Sequence, residues 1–348
     1  MNPAIFSNRM RKIPCLLLLL FPYLVRGQNN LPTHYGFRHL QTTFKGDTVD
    51  ILIKSKKGEE TKKKPLFLFC QGSLPIPLII VYDTSKANGI YSVFPFNPDS
   101  LSEKYHLVII GKPYVPLMMN QDQLSSDLTY HDNTGKYPRK YIERNLLDYY
   151  VDRNKQVLLF LQKQSWVSKK QLIVAGHSEG STIAAKLAMM MPAVTALIYS
   201  AGNPLGRIMT IIARSRQTET DSVSNAETTI NNWENIVAHP ESMEALSGDP
   251  NKTTWQFSIP PIHYLKTLKM PVLVTYGSKD ASAAFNDYLR VETIRTRSRN
   301  FTFKAYIGTE HNYFPLKADG SINYDIFNWD KVAEDWRKWL MKPNIINF

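Results

Sequence analysis

The chain has 348 residues, 43% of them hydrophobic, with 21 Pro, 16 Gly and 2 Cys. It is long enough to bury a full core without cross-links, and its composition excludes collagen-like, intrinsically disordered and disulfide-scaffold classes. Lys and Arg number 42 against 30 acids, a net charge of +12, but the excess sits in short runs such as 62–64 and Arg295, Arg297, Arg299. These runs carry no interleaved aromatics and no nucleic-acid motif, so they read as solvated surface and no nucleic-acid partner is expected.

At the N-terminus, Arg9, Arg11 and Lys12 precede an apolar stretch over 13–25, and Val25-Arg26-Gly27 stands where an export signal is cut. Residues 1–27 are therefore expected to be a signal peptide, with a mature chain starting near Gln28 in the periplasm or outside the cell. At ~1.5 Å per residue the apolar stretch covers roughly 20 Å, short of the ~30 Å hydrocarbon layer, so no stable membrane anchor is expected. Cys15 lies ahead of the leucine run 16–20, which argues against acylation. Only Cys70 then remains, which leaves no intramolecular disulfide.

Two strands over 35–44 and 48–54, joined at Lys45-Gly46-Asp47, open the mature chain. Short continuous apolar runs follow at 65–70, 106–110, 172–175, 194–199, 272–276 and 301–307, the pattern of strands buried on both faces of a mostly parallel sheet. Helical spacing fills the gaps, as in Ile142, Leu146, Leu147, Tyr150, Val157, Leu158 and Leu161, and in Trp329, Val332, Ala333, Trp336, Trp339 and Leu340. The alternation predicts an α/β fold in two parts, 28–201 and 262–348, interrupted by a polar, Thr/Asn-rich insertion at 202–261. Emerging at the carboxyl edge of the sheet, that insertion is expected to act as a lid with fewer packed contacts than the core. The aromatics around 91–96 and 255–257 read as core.

The chemistry begins at Gly176-His177-Ser178-Glu179-Gly180, which follows the strand at 172–175 and precedes an Ala/Leu-rich helix starting at Ser181. This is the strand, sharp turn, helix order of a nucleophile elbow, in which glycines are needed on both sides of the serine because helix and strand approach closely. Position at a helix N-terminus also aims N–H groups at developing negative charge.

On these residues the chain resembles the α/β-hydrolase superfamily, most closely secreted bacterial esterases related to dienelactone hydrolases and the catalytic domains of prolyl-oligopeptidase-type serine peptidases. The resemblance runs over residues 35–342. It implies an α/β-hydrolase fold, with a mostly parallel sheet, helices on both faces and a lid, and a triad in the order Ser, acid, His. Carried onto this chain, the nucleophile is Ser178. The acid is Asp280, in the loop after strand 272–276, and the base is His311, in the loop after strand 301–307. Asp287 is expected inside the following helix, and Glu310 is expected to be a loop residue. The oxyanion hole takes one N–H from Glu179 and a second from the loop Gln71-Gly72-Ser73, with Ser73 as the donor; Gln71 stands where the family commonly has His.

No Cys pair, His-x-x-x-His, His-Glu-x-x-His or Gly-x-Gly-x-x-Gly motif is present, so neither metal nor cofactor is expected. The sequons at Asn251 and Asn300 read as incidental. Three functions stay open: a serine esterase acting on a small-molecule or peptide ester, a serine peptidase or aminopeptidase cleaving an amide, and a catalytically silent binding module. The esterase leads because no propeller-sized domain is present and the acids Glu219, Asp221, Glu227, Glu234, Glu241 and Glu244, spaced among Asn and Thr, read as a solvated face.

Overall fold

A computed structural model of the chain describes residues 32–84, 87–92, 94–244 and 248–346; the expected signal peptide lies outside the described residues. The strands are β1 (Phe37–Phe44), β2 (Asp47–Lys54), β3 (Lys64–Cys70), β4 (Ile79–Thr84), β5 (Ala87–Ser92), β6 (His106–Ile110), β7 (Met118–Asn120), β8 (Val167–His177), β9 (Ala196–Ser200), β10 (Val272–Gly277) and β11 (Phe301–Tyr306). The main helices are α1 (Asp99–Ser102), α2 (Arg139–Arg144), α3 (Leu147–Leu161), α4 (Glu179–Met190), α5 (Arg207–Gln217), α6 (Asn225–Ala238), α7 (Asn251–Ser258), α8 (Ile262–Leu265), α9 (Ala283–Arg295) and α10 (Trp329–Leu340).

The β1–β2 hairpin is antiparallel, and β2 pairs antiparallel with β6. From β6 onward every pairing in the principal sheet is parallel, in the order β1-β2-β6-β3-β8-β9-β10-β11. The apolar runs are continuous because each strand feeds two cores. Leu66, Leu68 and Cys70 of β3 join one cluster, and Phe67 and Phe69 join the other. In β10, Val272, Val274 and Tyr276 alternate with Leu273 in the same way. Helices α3, α4 and α9 close the first cluster through Leu158, Ile183 and Leu289, while α10 closes the second through Val332, Trp336 and Leu340. Parallel register brings the ends of β3, β8, β9, β10 and β11 to one edge, with Cys70 beside Gly176, Gly176 beside Tyr199 and Gly277 beside Tyr306.

Several expectations are corrected. The helix read through 142–161 is two helices, broken at Asn145, whose backbone (φ −76°, ψ 59°) leaves the helical region. Strand β9 starts at Ala196, since 192–194 is the turn after α4. A second sheet, β5-β4-β7, was not anticipated; β4 pairs antiparallel with β5 and parallel with β7. Lys64 is not surface: its ammonium is buried, paired with Glu59, and donates to the Ser102 carbonyl. The stretch 202–261 forms α5, α6 and α7; α5 buries Ile208 alone and α6 buries Ala226 and Ile236, in keeping with the sparse packing expected, whereas α7 buries Thr253, Gln256 and Phe257 among others. No helix among the described residues is long and apolar enough to cross a membrane.

Candidate active site

Ser178 sits between the end of β8 and the start of α4 at φ 57°, ψ −125°, a conformation that L-residues seldom adopt and that costs on the order of 1–3 kcal/mol. The surroundings hold it there. Its N–H donates to the Ser200 carbonyl at 3.0 Å, and its own carbonyl accepts from the Ser181 N–H at 3.0 Å and the Ser181 hydroxyl at 2.6 Å. The elbow glycines are explained by contact: a Cβ on Gly176 would lie 2.0 Å from the Gly180 carbonyl oxygen, and one on Gly180 would lie 2.0 Å from the Cys70 carbonyl oxygen.

The turn lifts the Ser178 hydroxyl to 2.9 Å from His311 Nε2, and His311 Nδ1 lies 2.7 Å from Asp280 Oδ2. Asp280 is buried, and its other oxygen accepts from the Ser282 N–H at 3.0 Å. Burial alone would raise its pKa; the His311 hydrogen bond and charge and the Ser282 amide outweigh that and hold it below the usual carboxylate range. Asp287 lies within α9, accepting from Tyr276, and Glu310 caps its own loop by accepting from the N–H groups of Asn312 and Phe314.

Behind His311 stands His177, a residue the sequence reading passed over. Its ring packs 5.1 Å from that of His311 and 4.7 Å from Trp329, while its nitrogens meet Ser200 Oγ at 3.1 Å and Asn312 Oδ1 at 3.2 Å. Burial and the neighbouring His311 lower its pKa to about 3, so it is neutral at physiological pH and adds no charge beside His311.

The loop after β3 lies against the serine, with Gly72 offering only 3.8 Å between a built Cβ and Ser178 Cβ. Gln71, in the His position of the resembling family, donates to the Ile110 carbonyl at 2.9 Å and ties this loop to β6. The Ser73 carbonyl accepts from the Tyr141 hydroxyl at 2.8 Å and from Lys112 at 3.4 Å, which ties down the loop that carries the expected oxyanion donor. The side chain of Glu179 was also unforeseen. Its carboxylate is 3% exposed and held from opposite sides by Lys112 at 3.3 Å and by Arg207, which in turn reaches Asp249 at 2.6 Å. Burial lowers the Lys112 pKa, and the charge of Glu179 opposes that. Removing one partner of such a buried pair costs about 3–5 kcal/mol, so this chain of charges clamps α5 to the elbow. Lys112 could have been flagged, since it follows β6 at the carboxyl edge; Arg207 and Asp249 join only through the fold.

A pocket of about 260 Å³ opens over Ser178 and His311, walled by Ser73, Glu179, Asn203, Arg207, Arg214 and Phe257. The acids expected to be solvated remain outside this wall; Glu219 and Glu227 pair with Arg216, and Glu241 pairs with Lys252. The sequon asparagines are engaged, Asn251 buried and Asn300 donating to the Leu268 and Met270 carbonyls.

No protein-family model and no curated protein sequence matches the chain. Among solved structures it is similar to Est1E from Butyrivibrio proteoclasticus, with 15% identity and a TM-score of 0.51 over 87% of this chain and 97% of that one. It is also similar to Pyrococcus horikoshii acylaminoacyl peptidase (13% identity, TM-score 0.51, 86% of this chain, 41% of that one) and to Porphyromonas gingivalis dipeptidyl peptidase 4 (13% identity, TM-score 0.50, 87% and 35%). The chain thus spans less than half the length of either peptidase. These likenesses, with the sheet order above, show the α/β-hydrolase fold.

Proposed function

We propose that this protein is a serine hydrolase that cleaves a carboxylic ester through an acyl-enzyme on Ser178. The observation that carries the reading is the pair of hydrogen bonds, Ser178 to His311 to Asp280, at the floor of an open pocket. In this mechanism the Ser178 oxygen attacks the carbonyl carbon as its proton passes to His311 Nε2, while Asp280 holds Nδ1–H and stabilises the imidazolium. Charge gathering on the carbonyl oxygen is met by the N–H groups of Ser73 and Glu179. Collapse breaks the carbon–oxygen bond, and His311 returns the proton to the departing alcohol. Water then repeats the sequence, releasing the acid and restoring Ser178.

What favours an ester over the substrate of an aminopeptidase is the state of the pocket's acids. Glu179 and Asp249 are both taken by cations, so neither is a free carboxylate for a substrate ammonium group. The test is kcat/KM on panels of short activated esters and aminoacyl amides. Ser178→Ala, His311→Ala and Asp280→Asn should each lose about 10³-fold or more with folding retained, and esters should outrank amides. A Ser178→Ala protein keeping more than about a hundredth of the wild-type rate contradicts the mechanism; amides outranking esters would favour the peptidase.

A further inference from the structure

The pocket holds charges that do not cancel. Lys112, Glu179, Arg207 and Asp249 neutralise one another in pairs, and the buried Asp280 carboxylate, hydrogen-bonded to His311, does not line the pocket. Arg214 is different. It lines the same pocket, is exposed, and has no ion-pair or hydrogen-bond partner among the described residues. Helix α5 carries no acid to pair with it, its sequence being RIMTIIARSRQ, and the nearby Arg216 takes Glu219 and Glu227. Arg207, Thr210, Ile211 and Arg214 stand at helical spacing along one face, and all four line the pocket. Since Arg207 touches the residue after the nucleophile, Arg214 stands about 10 Å further along the wall, two turns of helix away.

We infer that the substrate carries a carboxylate remote from the bond that is cut, and that Arg214 binds it. A guanidinium presents a planar fork matched to a carboxylate, and one uncompensated positive charge calls for a monoanion. The pocket would then select its substrate by charge at its outer end and react at Ser178 at its inner end. This inference rests on the serine-hydrolase reading.

Two series of matched esters test it. In one, p-nitrophenyl ω-carboxyalkanoates of increasing chain length are compared with their ω-methyl esters. In the other, acetyl esters of ω-hydroxyalkanoic acids are compared with theirs, so that the carboxylate sits on the leaving group. The quantity read is the ratio of kcat/KM for the anionic ester to that for its capped partner, in which a loss common to both cancels. Wild type should favour the anion by about tenfold or more at one chain length in one series, mostly through KM, and less so as salt rises. Arg214→Gln should remove that preference, Arg214→Glu should invert it, and Arg214→Lys should keep part of it. A ratio near one in wild type in both series, or a preference unmoved in Arg214→Gln and Arg214→Glu, overturns the inference. If neither the anionic nor the capped esters are cleaved, or if they are cleaved equally well by Ser178→Ala, the serine-hydrolase reading itself fails.

Discussion

His177 shows how much of a site's behaviour can rest on a residue that does no chemistry. It is buried against His311, Tyr313 and Trp329, with Asp280 near enough to favour its charge slightly, yet burial dominates and its pKa falls to about 3. In the proposed mechanism a neutral ring here leaves His311 free to accept the serine proton without a second cation 5.1 Å away. The linkage has a definite sign. Unfolded, the ring takes its proton near pH 6.5; folded, it does so only near 3, so the unfolded chain binds more protons between these values. Stability is therefore full above about pH 6.5 and falls as pH drops, by up to about 1.4 kcal/mol per unit from this group. Urea midpoints measured from pH 7 to 4.5 should decline in wild type and decline less in His177→Gln. Parallel curves would mean that His177 is protonated inside the fold.

Between residues and the whole lies the elbow, where α4 passes so close to β8 and β3 that glycine is the sole fit. Gly180→Ala puts a methyl 2.0 Å from the Cys70 backbone oxygen, a clash that no rotamer relieves, whereas Gly111→Ala meets its nearest atom at 3.6 Å. The first should cost about 3 kcal/mol or more and the second less than about 1, as read from denaturant midpoints. Equal losses would mean that the elbow backbone can shift. This element was legible in the sequence because its determinants are local: a buried strand run, two glycines about a serine, and an Ala/Leu-rich helix. Elsewhere the determinants are not local. The break at Asn145 escapes periodicity because the apolar spacing runs on through it, while the reason for the break is a polar knot, Asn145 accepting from Tyr150 and donating to Asp249 at 3.4 Å. Strand β4 is a β-branched run behind Pro75 and Pro77, and its parallel partner β7 begins only at Met118, beyond the reach of a local pattern. The charge chain through residues 112, 179, 207 and 249 joins four separate elements, and nothing in the spacing of those residues announces it.

At the scale of the molecule, the parallel sheet gathers the ends of five strands at one edge, and from that edge come the Gln71-Gly72-Ser73 loop, Ser178, Asp280 and His311. We propose that the insertion at 202–261 serves as the lid of this site. Its helix α5 supplies Arg207 and Arg214 to the pocket wall, and Phe257 of α7, with Leu205 and Ile259 beside it, packs into the main core. It is thus a wall anchored at both ends, with α5 and α6 between them sparsely buried. Hydrolysis at this edge requires that Ser178 be an activated nucleophile. Treatment with a fluorophosphonate followed by peptide mapping measures this directly. One equivalent should attach to Ser178, attachment should slow by orders of magnitude in His311→Ala, and none should occur in Ser178→Ala. A wild-type protein left unlabelled, or labelled at a different side chain, would mean that Ser178 is not the nucleophile.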